Sequence, residues 1–235
     1  LMNNNAWFKK ENPLLSLQSM GGGAAGSLMQ GAAADKLYVD DLFNTDLFVG
    51  NDSFRTVTNN IDFENKGGLI WNKSRTGTYS HYLTDTVRGS RKQLSTDTNA
   101  IQTGSEIGAL ITGFTATGYY VGDSGLINGN GISQLGWSFR EAKGFFDIVS
   151  YTGDGTAGRT VSHSLGTLPG IIIIKNLDST EDWRVYHNSI GGTKNVLLNT
   201  SDASASVSSV WNNTDPTASV FTVGTSDATN KNGDE

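Results

Sequence analysis

Three histidines, His81, His163 and His187, are the side chains that could exchange a proton near neutral pH, and imidazole is also a metal ligand. They lie far apart, and none has the i, i+4 spacing with which a helix presents two imidazoles to zinc, so the spacing predicts no metal site. His187 stands close to Trp183 and Tyr186, a grouping that suits a binding patch or a strand edge near a turn. The chain holds no cysteine, which removes thiolate ligands, thiol nucleophiles and disulfides. No serine occupies a G-x-S-x-G elbow, and Gly21-Gly22-Gly23 follows no strand pattern, so neither a nucleophile nor a phosphate cradle is legible. Asp40, Asp41, Asp52, Asp154 and Asp202 fall in turn sequences, where an aspartate caps its own backbone more readily than it binds calcium. A glycosidase carboxylate pair is defined by separation in space and cannot be read from order along the chain. The residues therefore predict a protein that is not an enzyme, with no catalytic residue, metal or cofactor. One loop offers binding chemistry: Trp211, Asn212 and Asp215 combine an aromatic ring with an amide and a carboxylate, the mixture that stacks on a sugar and bonds its hydroxyls. Trp211 equally suits a core.

The elements that would position these residues are strands. Glycine is abundant at 29 of 235 residues, proline is scarce at 3, and long Asn/Thr/Ser/Asp tracts separate apolar runs. That balance favours short strands joined by polar turns, and the length suits one large all-β domain or two small ones. A net charge of −6 argues against a surface that tracks phosphates, so no nucleic-acid partner is expected.

Residues 1–34 differ from the rest. No charge lies between Glu11 and Asp35, but the many glycines argue against a membrane-spanning helix, since each costs about 1 kcal/mol relative to alanine in a helix interior. The segment reads as a Gly/Ala-rich tether or as a docking peptide that buries Trp7, Phe8, Leu14, Leu15, Leu17 and Met20 on a partner. From Asp35 strands are predicted at Leu37–Phe43, Asp46–Gly50, Arg55–Thr58, Gly67–Lys73, Tyr79–Leu83, Ala109–Ile111, Gly118–Gly122 and Leu135–Arg140. The pattern then restarts. Phe145–Gly153 answers Phe43–Gly50, Arg159-Thr160-Val161 answers Arg55-Thr56-Val57, Pro169–Lys175 answers Gly67–Lys73, and Asn230 with Gly233 answers Asn128 with Gly131. The period, about 103 residues from Gly50 to Gly153, is the size of a small domain and predicts a tandem duplication. The aromatic strand Trp137-Ser138-Phe139 would have its counterpart near position 239, so the second copy is expected to lack its last strand here, through truncation or through strand addition from a neighbour.

Tyr38–Phe43, Gly67–Arg75, Asp85–Gly89, Gly118–Gly122 and Trp137–Arg140, followed by Gly144–Val149, Arg159–Gly166, Pro169–Ile171 and Trp183–His187, resemble a family of structural proteins common in bacteriophages, especially marine ones. The resemblance covers most of the chain from Asp35, and Asn12–Gly23 is similar to the starts of that family. It implies a virion component, tail-fibre-like or otherwise appended to the particle, with lectin-like or jelly-roll-like modules, other virion proteins as partners and no catalytic residues to carry over.

The resulting expectation is an all-β chain: an N-terminal docking segment at 1–34, a β-sandwich module at 35–140 and a related one at 145–235, joined by the short Arg140–Gly144 connection. The expected role is a non-enzymatic virion structural protein, homo-oligomeric and, by fibre precedent, trimeric. The alternatives are a host-glycan-binding fibre module and a capsid decoration protein.

Overall fold

A computed structural model describes residues 37–104 and 108–235. Trp7, Phe8, Leu14, Leu15, Leu17 and Met20 lie outside the described residues. The fold is all-β and antiparallel, as the composition predicts. The N-terminal half contains β1 (Phe43–Val49), β2 (Arg55–Thr58), β3 (Gly68–Ser74), β4 (Tyr82–Asp85), β5 (Lys92–Ser95), β6 (Thr103–Gly104), β7 (Ile111–Thr115), β8 (Gly118–Val121) and β9 (Ser133–Arg140), with single-turn helices α1 (Phe63–Lys66) and α2 (Gly125–Asn128). One sheet has the order β1-β9-β3-β4-β5-β6, and a smaller one has β2-β8-β7.

The last strand of this half is an inner strand of its sheet. β9 pairs with β1 along one edge, from Phe43↔Phe139 to Val49↔Ser133, and with β3 along the other, from Gly68↔Arg140 to Ser74↔Gln134. Burial along β3 alternates with the two-residue period of a pleated strand, with Gly68, Ile70, Asn72 and Ser74 inward. Ile70 meets Val57, Tyr119 and Val121 from the smaller sheet, and Phe63 from α1 closes the layer between them. Asp62 caps α1 by accepting from the Asn65 N–H, which fixes the turn that drives Phe63 inward.

The C-terminal half contains β10 (Arg159–Ser162), β11 (Ile171–Ile174), β12 (Arg184–His187), β13 (Lys194–Leu197), β14 (Ala205–Ser206), α3 (Ser208–Trp211), β15 (Val220–Val223) and α4 (Asp227–Asn230). Its sheets run β11-β12-β13-β14 and β10-β15. Register recurs between the halves: adding 102 to Leu69↔Asp85, Leu83↔Leu94 and Gln93↔Thr103 reproduces Ile171↔His187, Val185↔Val196 and Asn195↔Ala205. Buried glycines recur at the same interval. A Cβ on Gly122 would lie 2.1 Å from the Ala109 carbonyl, and one on Gly224 would lie 2.3 Å from the Ser209 carbonyl, so both positions admit only glycine. The capping cations recur as well: Arg55 lies over Phe48 at 4.6 Å, and Arg159 over Tyr151 at 5.3 Å.

The structure departs from the predicted elements most at two places, while the strands expected at Tyr79–Leu83 and Ala109–Ile111 lie instead at Tyr82–Asp85 and Ile111–Thr115. Leu37–Phe43 is not a strand. Val39–Asp41 forms a turn of 3-10 helix, in which the Asp41 carboxylate accepts from the Tyr38 N–H, and one longer strand, β1, follows. Phe145–Gly153 lies outside any named strand, with Phe145 in a turn and a single bridge from Phe146 to Ala142. The reason is its partner. Its counterpart β1 is held by β9 alone, and beside Phe145–Gly153 only Asp234 and Glu235, bonded by the Gly153 and Leu177 N–H groups, reach the start of the place of β9.

A buried asparagine ties each helix-turn to the sheet. Asn128, fully buried, donates from Nδ2 to the Ser53 and Gly122 carbonyls, each at 2.7 Å. Asn230 donates to the Gly224 carbonyl at 2.9 Å and the Thr156 carbonyl at 3.0 Å, while its Oδ1 accepts from the Asp154 N–H at 3.0 Å. Truncating either strands buried acceptors. Asn128→Ala and Asn230→Ala are each expected to lower stability by about 2–3 kcal/mol, read as a shift in urea midpoint at unchanged m-value.

Candidate binding cleft

A cleft of about 700 Å³ lies between the halves. One wall is Phe145–Tyr151 and the other is β11. The roof is the outer face of the first sheet, with Leu69, Leu83 and Phe139. Ile171 and Ile173 are 56% and 41% exposed, and Leu168 at the entrance is 65% exposed. Both walls are thus strongly apolar. The titratable groups around it are already engaged. Arg88 bonds Asp85 at 2.6 Å and reaches Gln102 and the Leu83 carbonyl, and the Lys175 ammonium donates to the Asn176 and Ser179 carbonyls. Burial pushes the Lys175 pKa down, against the pull of Glu181 and Asp182. Such a surface suits apolar side chains and peptide backbone.

The Trp183 indole locks the halves across this region. It is 3% exposed and donates to the Ser95 and Thr98 carbonyls, both at 3.1 Å. The Gln102 N–H donates to the Leu177 carbonyl at 2.9 Å, and Phe139 stacks on Phe146 with centroids 5.5 Å apart. The Arg140–Gly144 connection is itself bonded at both ends: Glu141 N–H to the Gly67 carbonyl and Gly144 N–H to the Leu165 carbonyl. Glu141, half-buried, has its pKa raised by burial and then by the nearby Asp147.

The loop proposed for sugars is organised for folding. Trp211 is 1% exposed and packs edge-on against Tyr186 at 5.9 Å, inside the core formed with Val161, Ile174, Val210, Phe221 and Val223. Its ring faces protein and gives a sugar no stacking surface; replacing a buried tryptophan by alanine costs about 3–5 kcal/mol. Asn212 is exposed with φ 50°, ending α3 in the left-handed conformation. Asp215, also exposed, turns its carboxylate inward to accept from the Gly192 N–H at 2.6 Å and from the Tyr186 hydroxyl at 3.4 Å. The three residues thus close a turn around the β12–β13 hairpin.

The histidines stay apart. His163 Nδ1 accepts from the Leu165 N–H, His187 Nδ1 sits 2.7 Å from Ser189 Oγ, and His81 borders a second, shallower hollow with Trp71, Asp97 and Asn199. Among the described residues no group of three or more His, Asp or Glu is placed to hold a metal. No described helix is long and apolar enough to cross a membrane.

One polar cluster escaped the sequence reading. Asp46 Oδ2 accepts from Asn59 Nδ2 at 2.8 Å, and the Tyr119 hydroxyl and Ser138 Oγ each lie 3.4 Å away, all between the two N-terminal sheets. Burial raises the Asp46 pKa against those three hydrogen bonds. It raises Tyr119 much further, helped by the Asp46 charge. At the offset of 102, Tyr119 and Asn72 become Phe221 and Ile174, so the second core is apolar where the first is polar. A strand pattern read one residue at a time gives no sign that Asp46 meets Asn59.

Residues 39–235 match the family described as Domain of unknown function (DUF7483), and the chain belongs to that family. No curated protein and no solved structure matches it.

Two outcomes follow from this geometry. Trp183→Phe keeps an aromatic ring but removes the donor and part of the buried area; it should cost about 2–3 kcal/mol and speed proteolytic cutting within Glu141–Gly144. For Asp46, burial favours the protonated carboxyl, so the folded state binds that proton more tightly than the unfolded chain does. Its contribution to stability therefore falls as pH rises from the ordinary aspartate pKa of about 3.9 toward neutrality. Asp46→Asn keeps an acceptor for Asn59 and should flatten that decline in a series of urea midpoints against pH.

Proposed function

We propose that this DUF7483 chain is a non-enzymatic structural component of a bacteriophage particle, a tail-fibre-like element or appendage built from two copies of one duplicated β-module. The observation that carries the reading is the locked junction: the buried Trp183 indole spends its donor on two carbonyls of the other half, and the connecting segment is bonded on both sides. A double module held in this way transmits force and orientation, which an extended particle component needs and a freely hinged pair does not supply. The recurrence of register at 102 residues supports duplication, and the sequence resemblance supports the phage assignment. The cleft, lined by Ile171, Ile173 and Leu69, supports contact with protein. In this reading residues 1–34 dock the chain to other virion proteins, the chain forms a homo-oligomer, and the location is the virion.

The test is to raise antibody against residues 37–235 and apply it to gradient-purified particles from a host that carries the gene. Labelling at a fixed site on intact particles is expected. Its confinement to the particle-free supernatant of lysed cells would overturn the assignment.

A further inference from the structure

The walls of the cleft show which strand belongs there. In the N-terminal half β9 fills the space between β1 and β3 and pairs with both. In the C-terminal half the counterparts of those two walls are Phe145–Tyr151 and β11, and the space between them is the cleft.

The hydrogen-bonding groups of β11 are aimed at that space. The Asn188 N–H donates to the Gly170 carbonyl, which sets the phase of the β11–β12 ladder. Because an antiparallel strand alternates the direction of its backbone groups, Ile172 and Ile174 face β12, whereas Ile171, Ile173 and Lys175 turn their N–H and C=O into the cleft. In the N-terminal half the Thr86 N–H donates to the Gly68 carbonyl in the same way, and Leu69, Trp71 and Lys73 face β9.

The chain already begins the missing ladder. In the N-terminal half the Arg75 N–H donates to the Ser133 carbonyl at 2.8 Å, at the start of β9. The matching bond in the C-terminal half is Leu177 N–H to the Glu235 carbonyl at 2.7 Å. Gly153 N–H bonds the Asp234 carbonyl at 2.7 Å from the other wall, as Gly50 N–H bonds the Ile132 carbonyl at 2.9 Å. Glu235 is further held through its N–H by Asp178 and through its carboxylate by the Ser150 hydroxyl. These bonds, formed inside the fold, point the backbone at Glu235 into the cleft in the register of β9.

We propose that the cleft is a strand-acceptor slot, and that its occupant is an antiparallel β-strand peptide-linked to Glu235, with large apolar residues on its outward face and short ones inward. Outward residues would lie beside the exposed Ile171 and Ile173, as Trp137 lies against Trp71 with ring centroids 6.0 Å apart. Inward residues would complete the core of Ile174, Phe221 and Tyr186. The bound strand would pair the second, fourth and sixth residues after Glu235 with Lys175, Ile173 and Ile171. Strand addition of this kind joins main-chain hydrogen bonds to burial of alternate side chains and converts an exposed sheet edge into an interior one.

The experiment compares the chain of residues 1–235 with the same chain carrying Gln-Leu-Gly-Trp-Ser-Phe-Arg, the sequence of residues 134–140, fused after Glu235; amide exchange is followed by NMR. Exchange at Ile171, Ile173 and Lys175 should slow by at least about tenfold, relative to Ile172 and Ile174, whose amides β12 already holds. A fusion with the same residues in shuffled order should give no such selective slowing. Ile173→Pro removes an N–H that faces the empty slot, a position where an edge strand accepts proline, so it should spare the unfused chain and abolish the protection in the fused one. Equal exchange with and without the fused strand, equal slowing with the shuffled one, or protection that survives Ile173→Pro would each overturn the proposal. So would protection of the same three amides that appears in the unfused chain as its concentration rises, because a second copy would then be the occupant.

Discussion

The two-sided ladder of β9 is the constraint on which the structure turns. A strand between two neighbours satisfies its own backbone and theirs at once, and it decides which residues on each side face the core. In the N-terminal half that ladder joins the first strand to the third and lets β1 exist as a strand. In the C-terminal half Phe146, Tyr151 and Gly153 stand where Phe43, Phe48 and Gly50 do, yet Phe145–Gly153 forms no strand, because strand structure belongs to the pair and not to the single segment. The apolar cleft is the geometric consequence.

The two cores lie beneath the same strand pairings, β3-β4-β5-β6 and β11-β12-β13-β14, but differ in chemistry. The first accommodates Asp46, Asn59, Ser138 and the Tyr119 hydroxyl as a mutually bonded set. Burying such a set costs little only while every member has a partner. The second places Ile174, Phe221 and Val223 in that layer and depends on close packing around Trp211. Their sheets nevertheless keep one register, held by features that side-chain chemistry does not set: glycines where a Cβ would strike a carbonyl, and asparagines that bond three or more groups from the centre of a turn.

Between the halves, a few polar bonds inside an apolar contact set the orientation. The Trp183 indole contributes area and also a donor that must be satisfied once buried, and the Ser95 and Thr98 carbonyls satisfy it. Apolar contact alone tolerates sliding. Two directed hydrogen bonds from one rigid ring do not.

Much of this was legible before any coordinates. The alternation in Gly67–Lys73, the apolar run Ile171–Ile174, the turn glycines and the period of about 103 residues determined an all-β chain whose second half echoes the first, because periodicity and turn chemistry are local properties of the chain. The candidate site was legible only in part: the offset at which Trp137-Ser138-Phe139 would recur was countable, but the cleft between Phe145–Tyr151 and β11 was not. The sugar-binding reading of Trp211, Asn212 and Asp215 illustrates the limit, since an aromatic beside amides looks the same in sequence whether its ring faces water or a core. Only the tertiary structure decided that Trp211 turns inward, that Asp46 meets Asn59 and Tyr119, that Trp183 bonds the opposite half, and that Ile171 and Ile173 face an unfilled space. Each depends on which distant segments pack together, and that follows from the sum of burial and backbone pairing over the whole chain, not from any one stretch of it.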